Sequence, residues 1–263
     1  MQDWKPAEAL RNTSIVLVEP QDDINIGTTV RAAKNFGLSS MRLVNPRSAD
    51  PSIVGISAPN AADFIEKIET YSSLDEALRD CHFVIGLTAR SRAAKWKVLE
   101  PRSAALSVLA ETKKGRVAFL FGREDSGLSN EALDRCHAVV TIPTNPGYSS
   151  LNLGQAVLLM CWELFRAQEA IETQPVALGQ VEPDSSFEPV TMAGLERLFT
   201  QAEEALEAIE FFKVDNHDHI MRSLRSVFLR ASLDTRELSI WLGIFKEVKS
   251  FLKRKGLDVR ADE

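Results

Sequence analysis

The chain is poor in closely spaced cysteines, in long apolar runs and in net positive charge. Cys81, Cys136 and Cys161 are odd in number, lie far apart and form no CxxC pair. That spacing argues against a disulfide framework or a zinc knuckle and for reduced thiols. Nowhere do eighteen apolar residues follow one another, and MQDWKPAEALRN at the start lacks the apolar stretch of a signal peptide. A cytoplasmic protein without a membrane role is therefore expected. Net charge is −6, which excludes the overall basic field that holds nucleic acid nonspecifically and leaves room only for a local patch. GxGxxG and GxxxxGK[ST] are missing, so neither a nicotinamide site nor a phosphate loop is indicated. The absence of GxSxG and HExxH argues against hydrolase readings. His217-Asp218-His219 looks like a ligand cluster, but an HxH opening an amphipathic helix reads as a polar helix edge, and no metal is expected. His82 and His137, each following a cysteine and preceding an apolar strand, read as structural.

What is present can build a full core. At 263 residues and 44% hydrophobic composition, the chain suits one large domain, alone or with a smaller one. Short β-branched and aliphatic runs at Ile15–Val18, Met41–Val44, Phe83–Leu87, Val117–Phe121 and Ala138–Ile142 predict strands buried on both faces. Helical stretches at Gly27–Phe36, Leu74–Asp80, Ala104–Glu111 and Asn130–Arg135 alternate with them. The βαβα pattern predicts an α/β domain with a mostly parallel sheet. Leu153, Ala156, Val157, Met160 and Leu164 then mark one face of a closing helix. The expected division is an α/β domain over 1–167, with 1–12 as an N-terminal extension, an acidic Pro-containing linker over 168–190, and a helical domain over 191–263. The last follows from three amphipathic repeats, around Leu195–Ile209, Ile220–Phe228 and Leu238–Val248.

Chemistry is expected where strands end and helices begin, because ligands of open α/β sheets bind at the carboxyl ends of strands. Three such junctions are unusual. In Glu19 through Arg31, Asn25 is positioned to cap a helix, Gly27 permits close backbone approach, and Arg31 falls on the helix that follows. In Phe121-Gly122-Arg123-Glu124-Asp125-Ser126-Gly127-Leu128-Ser129, two glycines bracket a charged core and make a sharply turning loop. In Tyr148-Ser149-Ser150-Leu151-Asn152, hydrogen-bonding side chains stand between a strand and the closing helix. Taken singly, each is also an ordinary helix cap or tight turn. A fourth feature, Arg90, Arg92, Lys95 and Lys97 interleaved with Trp96, suits phosphate contact and base stacking, and equally a solvated charge run.

In this order the three junctions resemble the three motifs of the SpoU-type branch of the SPOUT RNA 2′-O-methyltransferases. The likeness is greatest to the TrmJ-type tRNA methyltransferase subfamily, which modifies a ribose at position 32 of the anticodon loop, and it extends into the tail at Asn216 through Phe228. The resemblance implies an α/β fold with a C-terminal trefoil knot, an exception to the rule that chains do not thread. It implies S-adenosylmethionine as cofactor, RNA, most of all tRNA, as substrate, and a homodimer that builds the RNA site across its interface. Cofactor contacts carry over to Leu87, Thr88, Ala89, Gly122, Glu124, Ile142, Pro143, Ser149, Ser150, Leu151 and Asn152. Catalytic roles carry over to Arg31, Ser150 and Asn152, and RNA contacts to Asn25, Arg31, Arg90, Arg92, Lys95 and Arg123. Arg123 and Glu124 are expected to pair across or within the site, fixing the loop and the neighbouring subunit. Ile24, directly before Asn25, departs from the family's small or acidic residue at that place, and Asp22-Asp23 before it are expected to oppose phosphate near that loop. Ribosomal RNA as substrate, a non-catalytic RNA-binding protein of the same fold, and a nucleotide-dependent α/β enzyme are the alternatives.

Overall fold

In a computed structural model, residues 7–89, 96–173, 188–213 and 216–257 are described. The basic loop expected at Arg90, Arg92 and Lys95 lies outside them. The chain divides into two compact units, Met1–Glu182 and Pro183–Glu263. The first contains α1 (Glu8–Arg11), β1 (Thr13–Val18), α2 (Asp23–Asn35), β2 (Ser40–Val44), α3 (Pro51–Ser57), α4 (Ala62–Ile65), β3 (Glu69–Tyr71), α5 (Leu74–Leu78), β4 (Cys81–Leu87), β5 (Val98–Leu99), α6 (Pro101–Glu111), β6 (Arg116–Phe121), α7 (Asn130–Leu133), β7 (Ala138–Val140) and α8 (Leu153–Thr173).

The aliphatic runs form strands because branched side chains pack well on a pleated surface covered from both sides. They assemble one seven-stranded sheet in the order β3-β2-β1-β6-β4-β7-β5. Every pairing is parallel: Ile15 of β1 lies beside Met41 of β2 and Phe119 of β6, and Ile85 of β4 lies beside Phe119 and Ala138 of β7. The core is made of Ile15, Leu17, Met41, Ile85 and Phe119 with Ile26, Val30, Val108, Val157 and Met160 from the helices. Helices α3, α2, α8 and α6 pack as successive neighbours.

Four local features differ from the sequence expectation. Strands β3 and β5, three and two residues long, lie at the two edges of the sheet and are too short to show a period. Helix α2 starts before Asn25, since Asp22 is its N-cap and its side chain accepts from Ile24 N at 2.8 Å. Helix α8 runs beyond Arg166 to Thr173 because Ala167 and Ile171 continue its apolar stripe onto the core. The glycine of the first junction does allow a close approach, but of a helix. A Cβ on Gly27 would lie 2.3 Å from Val54 O, so the bare residue lets α3 sit against α2.

The second unit contains α9 (Met192–Ala208), α10 (His217–Ala231) and α11 (Thr235–Arg254). Thr191 caps α9, and Asp234 with Glu237 forms a capping box on α11. Leu195, Leu198, Phe199 and Ala202 of α9 are buried with Met221, Phe228 and Leu229 of α10 and Leu238 of α11. Arg225 closes this small core, forking onto Glu196 at 2.6 and 2.7 Å while stacking over Phe199. His217 sits beside Glu203, 2.9 Å away. Among the described residues no cluster suited to a metal occurs, and no helix is long and apolar enough to cross a membrane.

At the amino ends of the strands, His82 Nε2 lies 3.2 Å from Glu111 Oε2, and His137 Nδ1 accepts from Val84 N at 3.1 Å. Burial lowers the His137 pKa to about 4, and the charge of His82 adds to the effect. The unfolded chain binds a proton near the ordinary histidine value that the folded chain refuses until about pH 4. Stability is thus complete above that ordinary value and is lost as pH falls through the window below it. Chemical denaturation at pH 7 and pH 5 should show a loss on the order of 2 kcal/mol at pH 5. His137→Gln, which keeps an acceptor for Val84 N, should lose markedly less; an equal loss in both proteins would remove His137 as the cause.

Candidate active site

Strands β6, β4 and β7 are adjacent, and their carboxyl ends at Phe121, Leu87 and Val140 open onto one cavity of about 290 Å³. Thr88 N donates to Val140 O at 3.0 Å and so holds the loop after β4 against β7. The volume lies near the lower end of the roughly 300–1,000 Å³ typical of small-molecule sites. Its walls combine the apolar side chains of Leu87, Val140, Ile142, Leu151 and Leu153 with polar groups from Thr88, Glu124, Ser149 and Ser150.

The loop after β6 turns back on itself. Gly127 adopts φ +68° and donates to Arg123 O at 2.8 Å, while a Cβ on Gly122 would collide with the Gly127 backbone 2.2 Å away. Position 122 has room only for glycine, and the left-handed backbone at 127 favours it. Inside this turn Arg123 forks onto Asp125, at 3.0 and 2.8 Å, and also reaches Glu19 at 3.4 Å. The guanidinium, with Ser126 in second place, holds the Asp125 carboxyl well below the usual range. Glu19, which follows β1, has φ +52°, a conformation uncommon outside glycine and often found at functional loops.

Arg123 and Glu124 therefore do not pair with each other. The partners of Arg123 are the two acids just named, which neutralise the charge expected to meet RNA. Glu124 turns toward the first junction, accepting from Gln21 N and Asn25 Nδ2, each at 3.0 Å. Asn25 Oδ1 in turn accepts from Asn152 Nδ2 at 2.9 Å. Asn152 is itself the cap of α8: its Oδ1 accepts from Gly154 N at 2.9 Å, and its N–H donates to Gln155 Oε1 at 3.2 Å. One hydrogen-bonded chain thus ties together all three junctions. Asn25, expected as a helix cap, is instead the link between the other two.

Leu87, Thr88, Ala89, Gly122, Glu124, Ile142, Ser149, Ser150 and Leu151 line the cavity. Pro143 and Asn152 do not; Pro143 is exposed, and the side chain of Asn152 is occupied by the cap. Phe121, Asp125, Ser126, Gly127, Val140, Leu153 and Ala156 belong to the wall as well; the first four lie in the second junction but were not expected as contacts. Their signal is topological: three of them end a strand or open a helix beside the cavity. Arg31 is exposed and is not part of this wall. Among the described residues its side chain has no hydrogen-bond or ion-pair partner.

The acidic pair before Asn25 also has structural duties. Asp22 caps α2, and Asp23, buried, accepts from Ser48 Oγ at 2.8 Å. Asp23 is thus withdrawn from solvent, while Asp22 remains exposed on the loop as it caps α2.

Comparison with known proteins agrees with this geometry. Residues 12–162 match the SpoU rRNA Methylase family, and residues 193–258 match the C-terminal domain of tRNA methyltransferase TrmJ. The tRNA (cytidine/uridine-2'-O-)-methyltransferase TrmJ of Klebsiella pneumoniae subsp. pneumoniae is 38% identical over 246 residues, covering 94% of this chain and 100% of that protein. Its counterpart in Escherichia coli strain K12 is 38% identical over 240 residues, 91% and 96% of the respective chains. Among solved structures, TrmJ from Z. mobilis ZM4 superposes with a TM-score of 0.77 at 29% identity, covering 90% of this chain and 98% of that one. A probable methylase family protein from Haemophilus influenzae superposes with a TM-score of 0.60 at 34% identity, covering 94% and 99%. With two junctions lining one cavity, the first hydrogen-bonded to both, and the tail matched by the TrmJ C-terminal domain, the chain belongs to the SpoU methylase family, in the TrmJ branch.

Proposed function

We propose that the chain is a tRNA ribose 2′-O-methyltransferase that uses S-adenosylmethionine. The observation that carries this reading is a cavity lined by the second and third junctions, to both of which the first is hydrogen-bonded through Asn25. The residues fit the cofactor: Leu87, Ile142 and Leu151 supply apolar walls, while Thr88, Ser149 and Ser150 supply hydroxyls at the same opening. When bound, the cofactor supplies an electrophilic methyl on a sulfonium. The trefoil knot of the family remains part of this proposal, as do a cytoplasmic setting and the division of labour between the α/β and helical parts.

The chain's own residues have three tasks: to place the ribose, to make its hydroxyl more acidic, and to leave a route for the proton. Ser150 lines the cavity and is exposed, with its hydroxyl available to the sugar. Asn152 fixes the loop by capping α8. Arg31 is a guanidinium, which has no acceptor and stays protonated, so its role is electrostatic: it orients an RNA phosphate and polarises the 2′-hydroxyl. A phosphate oxygen takes the proton.

Arg31 stands outside the cavity of its own chain, which points to action on a second copy. Ile24, Thr28 and Arg31, spaced i, i+4 and i+7, share one face of α2. Thr28 lies where a Cβ of Gly154 would strike it, so this face borders α8. There Leu158, Leu159 and Trp162 are all exposed, as is Ile24. An apolar face of this kind fits a symmetric partner. The proposed homodimer buries it and carries Arg31 toward the partner's cavity.

Two tests follow. In methyl transfer to unmodified tRNA, Arg31→Ala should lower the rate by at least about 100-fold while S-adenosylhomocysteine binds as in the wild type; a mutant with undiminished turnover removes Arg31 from the mechanism. Sedimentation should show a dimer for the wild type and a monomer without activity for Leu158→Glu combined with Trp162→Glu. A wild type that is active as a monomer would contradict the shared site.

A further inference from the structure

Tyr148 is the most exposed of the large apolar side chains among the described residues, at 83%. Aromatic side chains bury roughly 150–250 Å² when they find a partner, so a ring left in water contributes little to the fold. Its exposure does not come from a slack loop. Thr144 Oγ1 donates to Ser149 O at 3.2 Å, Gly147 N donates to Asn145 Oδ1 at 2.9 Å, and Tyr148 N donates to Asn145 O at 2.9 Å. Asn145 thus closes an Asx turn whose next residue, Pro146, has its φ already set. The turn holds the Tyr148 backbone fixed and directs the ring away from the body of the protein.

Its position gives the exposure meaning. Ser149, Ser150 and Leu151 line the cavity, and Tyr148 does not. The ring therefore stands on the rim, one residue from the wall and two from Ser150, and is not a contact for a molecule seated inside. We propose that Tyr148 is a stacking platform for a nucleobase of the RNA substrate, either the base of the target ribose or its immediate neighbour. It is a positioning residue for the transfer, and the proposal rests on the function given above. Unpaired bases of RNA loops are splayed out and stacked on aromatic side chains, whereas bases inside a duplex present no free face. The substrate class is accordingly a single-stranded loop. Stacking also needs no cation, which suits a chain of net charge −6 whose Arg123 is already neutralised. Tyrosine has only two side-chain torsions to fix, so ordering it on the base costs little entropy.

The test compares Tyr148→Ala, Tyr148→Phe and Tyr148→Trp in steady-state methyl transfer to an unmodified tRNA transcript, alongside S-adenosylhomocysteine affinity and sedimentation. Tyr148→Ala should raise KM for tRNA about tenfold or more. The Phe and Trp proteins should stay within about twofold of the wild type, since both keep a π face. Cofactor-product affinity, oligomeric state and the salt dependence of tRNA binding should be unchanged, because no phosphate contact is removed. A wild-type KM in Tyr148→Ala overturns the proposal, as does an equal loss in Tyr148→Phe or conversion of Tyr148→Ala to a monomer, which would place the ring in a protein interface. Failure of the wild type itself to methylate any tRNA overturns the underlying function instead, and the two failures are distinguished by that control.

Discussion

The site depends on one amide. Glu124, as a carboxylate, only accepts hydrogen bonds, so the Asn25 side chain must present its Nδ2 to it and its Oδ1 to the far side. Asn152 must then present its own Nδ2 to Asn25, which leaves Asn152 Oδ1 for the Gly154 N–H at the start of α8. Every donor in this chain points the same way, from the helix start toward the carboxylate, and such aligned bonds polarise one another. No other side chain of similar size does this. An aspartate at position 25 would face Glu124 with like charge, and a serine would reach only one partner.

The same chain couples the site to the packing of the fold. Asn152 caps α8, and Gly154, the second residue of that helix, lets α8 come within van der Waals reach of Thr28 on α2. Gly27, one residue earlier, does the same for α3 on α2. The loops that frame the cavity are therefore held by helices already fixed in the core. Electrostatics follow a parallel logic. Asp22, Asp23, Glu19 and Asp125 are each used as a cap, a buried acceptor or a partner of Arg123. Arg31, by contrast, is an exposed cation on α2.

The α/β class, strands β1, β2, β4, β6 and β7 and the three helices of the tail were legible because each lies in an aliphatic run or a helical repeat; β7, only three residues long, is announced by the run Ala138–Ile142. β3 and β5 have only a few residues, so no period could announce them. The contents of the site were legible for a different reason. Gly122, Glu124, Ser149 and Ser150 stand at strand ends, and topology brings strand ends together. Partnerships were not legible: Arg123 and Glu124 are neighbours in sequence, yet Arg123 turned to Asp125 two residues on and to Glu19, while Glu124 found Gln21 and Asn25 about a hundred residues away. The placement of Asn25 inside α2 rather than at its cap turned on Asp22, three residues earlier and an equally good cap. The exposure of Tyr148 belongs to the same group, since only the turn closed by Asn145 determines which way the ring points.

The most direct test of the Asn25 link is a double-mutant cycle of Asn25→Ala and Asn152→Ala, read as the affinity for S-adenosylhomocysteine. If one hydrogen-bonded chain holds the three loops, each single change should weaken binding, and the double mutant should fall short of the summed effects by about 1 kcal/mol. Strictly additive losses, or single mutants that bind as tightly as the wild type, would mean that the loops are positioned independently and that the amide at position 25 is not what holds the site together.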